Sequence, residues 1–228
     1  MSDQEKKVLT RRMPTEGNFM KYDSNDILYS LMYSMATYNP EEKRLYLAKK
    51  NFGANKKMIY EACGINGSPM AKRHIDRLKQ YNLLSEDNNN YYFPQNPDEK
   101  YRLVEKEMLY YLAATRSLNS IRVYMILLDG YLWKEKEGDK FNFTNTYLLE
   151  KLGYSITNKN ASKMMSDILE SFQREGIIKF SEYYETIITS TGKEVPTPKK
   201  QLNFVAVKKA ELRELEPQKP AVSKEFVF

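Results

Sequence analysis

The side chains best suited to chemistry in this chain are cationic and lie close together. Between Met58 and Phe93 the sequence reads MIYEACGINGSPMAKRHIDRLKQYNLLSEDNNNYYF. Ala71, Ile75 and Leu78 recur at i, i+4 and i+7. A helix here would close onto a core along that stripe and leave Ser68, Lys72, Arg73 and Lys79 to solvent or phosphate. From Ala54 to Tyr81 the basic residues Lys56, Lys57, Lys72, Arg73, Arg77 and Lys79 outnumber Glu61 and Asp76, six against two. Binding a polyanion depends on neutralising several phosphates at once, so this segment is the stronger candidate. A weaker one runs from Lys159 to Arg174, where Lys159, Lys163 and Arg174 face Asp167 and Glu170, three against two. Its candidate contacts are Lys159, Asn160, Ser162 and Lys163 near the helix start, and Lys193, Lys199 and Lys200 beyond it. Asp167 could accept from a cytosine amino group, against repulsion from the phosphates.

Other chemistries are excluded by what is scarce. Cys63 is the single cysteine and His74 the single histidine, so no Cys/His zinc site and no internal disulfide can be assembled, and a Ser-His-Asp triad would have to use His74. His74 lies beside the apolar stripe and reads as a partly packed structural residue; Cys63 reads as a small buried one. No glycine-rich phosphate loop is present, and the pairs Tyr91-Tyr92, Tyr110-Tyr111 and Tyr183-Tyr184 read as strand and core residues rather than nicking nucleophiles. A non-enzymatic protein without cofactor or metal is expected. The net charge of +6 favours an anionic partner. The N-terminus has no apolar core of a signal peptide. The longest apolar run, Val123 to Leu128, is far below the ~20 residues that cross a bilayer. A soluble, cytoplasmic protein with no membrane partner is expected.

These side chains need elements to position them. Residues 1–17 read as a mobile arm whose Lys6, Lys7, Arg11 and Arg12 could touch phosphate, and residues 18–95 as a first domain. In that domain Asn18 to Tyr22 suggests a short strand, and Ser24 a cap for a helix carrying Ile27, Leu28, Leu31, Met32 and Met35. Asn39-Pro40 suggests the start of another helix ending at Gly53, with a third from Ala54 to Cys63. Gly64-Ile65-Asn66-Gly67 is a turn whose glycines permit positive φ, and Ser68-Pro69 the cap and first position of the basic helix. Leu83-Leu84, then Asp87 to Asn90, then Tyr91-Tyr92-Phe93 read as a hairpin. Residues 96–100 are a linker, 101–209 a second domain and 210–228 a flexible tail. In the second domain Tyr101 to Ala114 reads as a strand entering a helix. The series Ile121, Tyr124, Met125, Leu128, Tyr131, Leu132 marks a helix buried between the halves or in a dimer. Phe141 and Phe143 lie on a short strand, and helices cover Asn145 to Leu152 and Lys159 to Arg174. Strands from Ile177 to Ile188 and from Gln201 to Val207 flank a loop, Thr191 to Lys200.

This order of elements resembles the winged helix-turn-helix family. The resemblance rests on the glycine ending the short helix, Ile65 after it, Ser68 opening the next helix, adjacent Lys72-Arg73, the Ala71/Ile75/Leu78 stripe and Leu83-Leu84 entering the hairpin. The plan returns as LLEKLGYSITNKNASKMMSDILESFQREGIIKF from Leu148 to Phe180, with Met165, Leu169 and Phe172 inward and Asp167 where the first copy has Arg73. The resemblance implies an α+β, mainly α fold of two winged helix-turn-helix domains in tandem, with Lys72 and Arg73 facing a DNA major groove. Two such units in a Lys/Asn/Tyr-rich chain look like the replication initiators of plasmids and phages. That implies sequence-specific binding of double-stranded DNA without catalysis, in replication initiation or partition, by a homodimer. The tail tip Phe226-Val227-Phe228 could dock on a protein of the replication machinery. A transcriptional regulator of the same fold, or a winged-helix protein-interaction scaffold that never touches DNA, are the alternatives.

Overall fold

Asp23 opens the first helix of the body, α1 (Ser24–Ser34). Its carboxylate accepts from the amides of Asn25 and Asp26 at 2.7 and 3.1 Å, and Asp26 accepts in return from the Asp23 amide at 2.8 Å. The cap is therefore one residue ahead of Ser24, in a reciprocal box that also puts negative charge at the positive helix end. The computed structural model describes residues 7–11, 22–94 and 101–205. The expected linker 96–100, the tail 210–228 and the strand at Asn18 to Tyr22, apart from Tyr22 itself, lie outside them.

Where a helix from Asn39 to Gly53 was expected, the chain makes a hairpin of β2 (Thr37–Asn39) and β3 (Arg44–Ala48). Asn39 does cap the following amides, those of Glu41 and Glu42 at 3.0 and 3.3 Å, but the result is a turn that Lys43 completes at φ 49°. The deciding interaction is distant: β3 pairs with β5 (Asn90–Phe93), Leu45 opposite Phe93 and Leu47 opposite Tyr91. Cross-strand burial overrides the local helix signals. The next helix, α2 (Lys49–Ala62), then runs straight through Gly53. A Cβ there would meet nothing within 4 Å, so this glycine weakens the helix without ending it.

The turn after α2 follows the sequence closely. Gly64 has φ +63° and Gly67 +91°. Gly67 is the cap of α3 (Ser68–Gln80), so Ser68 is the first helical residue and makes no side-chain cap bond. A two-residue strand β4 (Ser85–Glu86) and β5 complete a sheet of order β2-β3-β5-β4. Its turn is held by Asp87, which accepts from the Asn89 and Asn90 amides, both at 2.7 Å.

The second half begins with β6 (Tyr101–Glu105), which pairs antiparallel with β1 (Lys7–Arg11), Lys7 opposite Glu105 and Arg11 opposite Tyr101. Residues 7–11 are thus a strand, contrary to the expected mobile arm. A backbone ladder tolerates polar side chains that give no hydrophobic signal in the sequence. Then come α4 (Lys106–Thr115), α5 (Leu118–Glu137), β7 (Phe141–Phe143), α6 (Asn145–Leu152), α7 (Lys159–Arg174), β8 (Ile178–Ile188) and β9 (Glu194–Val205). The third sheet has the order β7-β9-β8. The expected loop from Thr191 to Lys200 shrinks to a tight turn, because β9 already begins at Glu194.

The described chain is mainly helical, with seven helices and small antiparallel sheets. Helix, strand, helix, helix, strand, strand occurs twice, as α1-β3-α2-α3-β4-β5, with β2 added between α1 and β3, and as α5-β7-α6-α7-β8-β9. In both, the first strand pairs with the last and the last with the middle one. The halves share one contiguous core. In α5, Ile121 and Val123 through Leu128 are all buried, more than one helix face can supply, because the helix has neighbours on several sides. Among the described residues no helix is long and apolar enough to cross a membrane.

Gly130 marks where β7 meets α5. A Cβ on it would stand 2.4 to 2.6 Å from the Phe141 ring, which is itself stacked on Phe143 and edge-on to Tyr147. Gly130→Ala gains about 1 kcal/mol of helix propensity, but the overpacking costs about 1–3 kcal/mol. A lowered urea midpoint is expected; a raised one would mean that the Phe141 ring swings aside freely.

Candidate nucleic-acid interface

α3 separates its faces as its sequence requires. Ala71 and Leu78 are buried, Ile75 is half-buried against the core, and Ser68, Lys72, Arg73, Arg77 and Gln80 are exposed. The inner side packs on α1, and His74 fastens it: Nδ1 donates to Asn25 Oδ1 at 2.7 Å. The Asn25 amide nitrogen is turned the other way, donating to Asp23 at 3.3 Å, which leaves the oxygen for the histidine. Burial first, then Arg77 and Arg73, lower the His74 pKa against the pull of Asp23, so the ring is neutral at pH 7. Both lone residues hold structural positions. Burial pushes the Cys63 thiol far up, which keeps it from acting as a thiolate.

The basic side chains of this unit fall into two groups. One group is committed to a chain of ion pairs across three elements: Lys72 to Asp76 at 2.8 Å, Asp76 to Lys79 at 3.0 Å, Lys79 to Glu86 at 2.7 Å and Glu86 to Lys49 at 2.8 Å. Hydrogen bonds from Lys72 and Lys79 lower the Asp76 pKa, and those from Lys49 and Lys79 lower that of Glu86. Lys79 is thereby a tie between α3, β4 and α2 rather than an open contact. Lys72, whose side chain is 79% exposed, can leave its aspartate for phosphate, because an exposed pair of this kind is worth little. In the other group, Arg73 makes no ion pair among the described residues, Arg77 stands 4.0 Å from Asp23, and Lys56 and Lys57 are exposed on α2. Beside α3 an open groove of about 430 Å³ is lined by the apolar Phe52, Ala71 and Ile75, by Lys56, Lys72 and Lys79, and by the acidic Asp76 and Glu86.

α7 holds the corresponding place in the second half. Ala161, Met165, Ile168, Leu169 and Phe172 are buried. Lys159, Asn160 and Lys163 are exposed, in company with Asp167 and Glu170, and Ser162 is half-buried. Asn158 caps the helix by accepting from the Ala161 amide at 3.1 Å. Its far end is clamped by Glu175, which accepts from Arg116 and, at 2.7 Å, from the Tyr111 hydroxyl, while Arg116 also donates to Ser171 at 2.9 Å.

Of the hairpin lysines, Lys193 lies in the exposed turn. Lys199 and Lys200 are on β9 and not in a loop; Lys199 pairs with Glu185 and Lys200 with Glu182 at 2.9 Å. These two are largely neutralised from across the strand. Sequence reading missed Lys49, Glu86 and Asn25 as parts of the first site. The Lys72-Asp76-Lys79 spacing was visible as i, i+4 and i, i+3 pairs on one helix, whereas Lys49 meets Glu86 only because β3 pairs with β5.

Among the described residues no group of His, Cys, Asp or Glu could hold a metal ion. Comparison of the chain with protein-family models, with curated proteins and with solved structures finds no match.

Proposed function

We propose that this chain is a sequence-specific double-stranded DNA-binding protein made of two winged helix-turn-helix units, acting without catalysis as two copies to initiate replication, or direct partition, of a plasmid or phage. The observation that carries the DNA reading is the outer face of α3. Lys72, Arg73 and Arg77 project from a helix whose other side is packed on α1, and a short hairpin stands beside it. Such a helix can enter a major groove, where arginine reads base edges and lysine holds phosphate. The doubled strand order supports the tandem architecture. The genetic-element role rests on the resemblance of the sequence to initiators.

A protein-interaction scaffold is the second reading. It is favoured by the acidic Asp167 and Glu170 on the outer face of α7 and by the paired lysines of β9. Selection from a random duplex library with the full-length protein, followed by a salt titration on the enriched site, separates the two. The DNA reading expects one enriched motif and affinity falling steeply with salt, with a log-log slope of about −0.9 per phosphate neutralised. No enrichment, or a flat salt response, rejects it.

A further inference from the structure

The hairpin of β8 and β9 guards one of its edges and leaves the other open. β7 covers β9 only from Lys200 to Leu202, so β9 from Glu194 to Lys199 has an uncovered outer side. Pro196 and Pro198 fall on that stretch, opposite Thr186 and Tyr184. A proline has no N–H to give, so in a paired strand its nitrogen must face away from the partner. The two prolines thus remove donors from the outer edge of β9, a recurrent way to prevent further strand addition. They also fix the orientation of β8: Tyr184 and Thr186 lie in the wide-spaced positions and must turn their own N–H and C=O outward.

None of these protections exists on β8. It is eleven residues long, contains no proline, ends the sheet and has no strand on its far side among the described residues. Its two glutamates would normally deter association, but Glu182 and Glu185 are neutralised by Lys200 and Lys199. Tyr184 and Ile188 are 74% and 72% exposed, and Ile187 is 44% exposed.

We infer that the open edge of β8 is the surface on which a second copy of this chain docks, the two β8 strands pairing antiparallel across a two-fold axis. Self-pairing is favoured by the order of the side chains. An axis through Tyr184 sets Tyr184 against its copy, Phe180 against Ile188 of the partner subunit and Tyr183 against Glu185 of the partner subunit, and never one glutamate against another. The sheet then runs through both subunits and gives the exposed Tyr184, Ile187 and Ile188 side chains cross-strand neighbours. This inference rests on the proposal that two copies act together and not on the proposal that they bind DNA.

The test is sedimentation velocity of the full-length protein without DNA over a range of micromolar concentrations, comparing the natural chain with Thr186→Pro. The Thr186 amide faces outward, so proline leaves the β8–β9 ladder intact while removing a donor from each copy. The natural protein should sediment as a dimer, and Thr186→Pro should raise the dissociation constant about tenfold or more with an unchanged circular dichroism spectrum. Should the proline variant fail to fold, Ile188→Lys, which places a charge on an already exposed side chain, should dissociate the dimer in its stead. A natural chain that stays monomeric, or a dimer indifferent to the folded variant, overturns the inference. Duplex binding measured on the same samples keeps the outcomes apart: a monomer that still binds DNA rejects this surface alone, and a dimer split by Thr186→Pro that never binds DNA rejects the α3 reading alone.

Discussion

Arg73→Ala is expected to weaken binding to the selected duplex by about 1–3 kcal/mol, roughly 5- to 150-fold, and to relax base preference at one position of the site. The size of the effect follows from the state of Arg73 in the free protein. It is exposed and makes no ion pair among the described residues, so removing it leaves no buried carboxylate behind. The fold should be indifferent, since exposed substitutions away from such features fall within about 0.5 kcal/mol. Lys72→Ala should behave differently. As a phosphate contact it would lower affinity for all sequences alike and reduce the salt slope by about one. Lys79→Ala should leave base preference alone, because Lys79 is held by Asp76 and Glu86 and acts on the position of β4 relative to α3. Fluorescence anisotropy with the selected site and single-base variants of it resolves the three patterns. An Arg73→Ala protein with full affinity and full specificity would show that the outer face of α3 is not the reader.

What could be read from the sequence, and what could not, divides by the range of the interactions that decide each feature. Gly64, Gly67 and Pro69 act through their own backbone angles, and the turn between α2 and α3 is where they indicated. The apolar stripes of α3 and α7 are set by helical periodicity, and Ala71, Leu78, Met165, Leu169 and Phe172 are buried as the spacing required. The hairpin of β2 and β3 was illegible because its local signals, a capping Asn39 and acidic residues after it, are equally those of a helix start. Only the pairing of Leu47 with Tyr91, far along the chain, settles the matter. The strand Lys7–Arg11 depends on Tyr101–Glu105 in the same way. At the candidate site, the identity of the outward residues was legible but their electrical state was not. Lys199 and Lys200 look like free cations until β9 places them beside Glu185 and Glu182, and Lys79 looks free until Glu86 is beside it. Periodicity tells which side chains leave the core; it carries no information on which of them are already neutralised.

The largest loss of stability is expected where α7 is clamped, at Arg116→Ala, and its pH dependence should be as informative as its size. Glu175 follows α7 at the negative end of the helix dipole, and its side chain is only 26% exposed, so two unfavourable terms act on its charge. Burial would raise its pKa, but hydrogen bonds from Arg116 and Tyr111 and the charge of Arg116 outweigh that and leave it below the usual carboxylate range. A carboxylate whose folded pKa is depressed contributes stability that is present above the unfolded value of about 4.3 and is lost as pH falls through the folded value. Removing the guanidinium shifts the balance. The carboxylate then keeps Tyr111 and Ser171 as partners but loses the hydrogen bond and the charge of Arg116, so its folded pKa is expected to rise towards or past the unfolded one. Stripping one member from a buried pair costs about 3–5 kcal/mol; the partial exposure here brings the expected loss at pH 7 to about 2–3 kcal/mol. At pH 4 more of the variant's Glu175 is protonated than in the natural protein, so less of the cost of the buried charge remains, while the natural protein has begun to lose its own pair. The stability gap between them should therefore narrow on acidification. Adding Glu175→Gln to Arg116→Ala should recover part of the loss at pH 7 and make the gap nearly independent of pH. Urea unfolding of the three proteins at pH 7 and pH 4 decides it. An Arg116→Ala protein as stable as the natural chain, or one whose deficit grows as pH falls, would mean that the Arg116–Glu175 contact does not hold α7 in place.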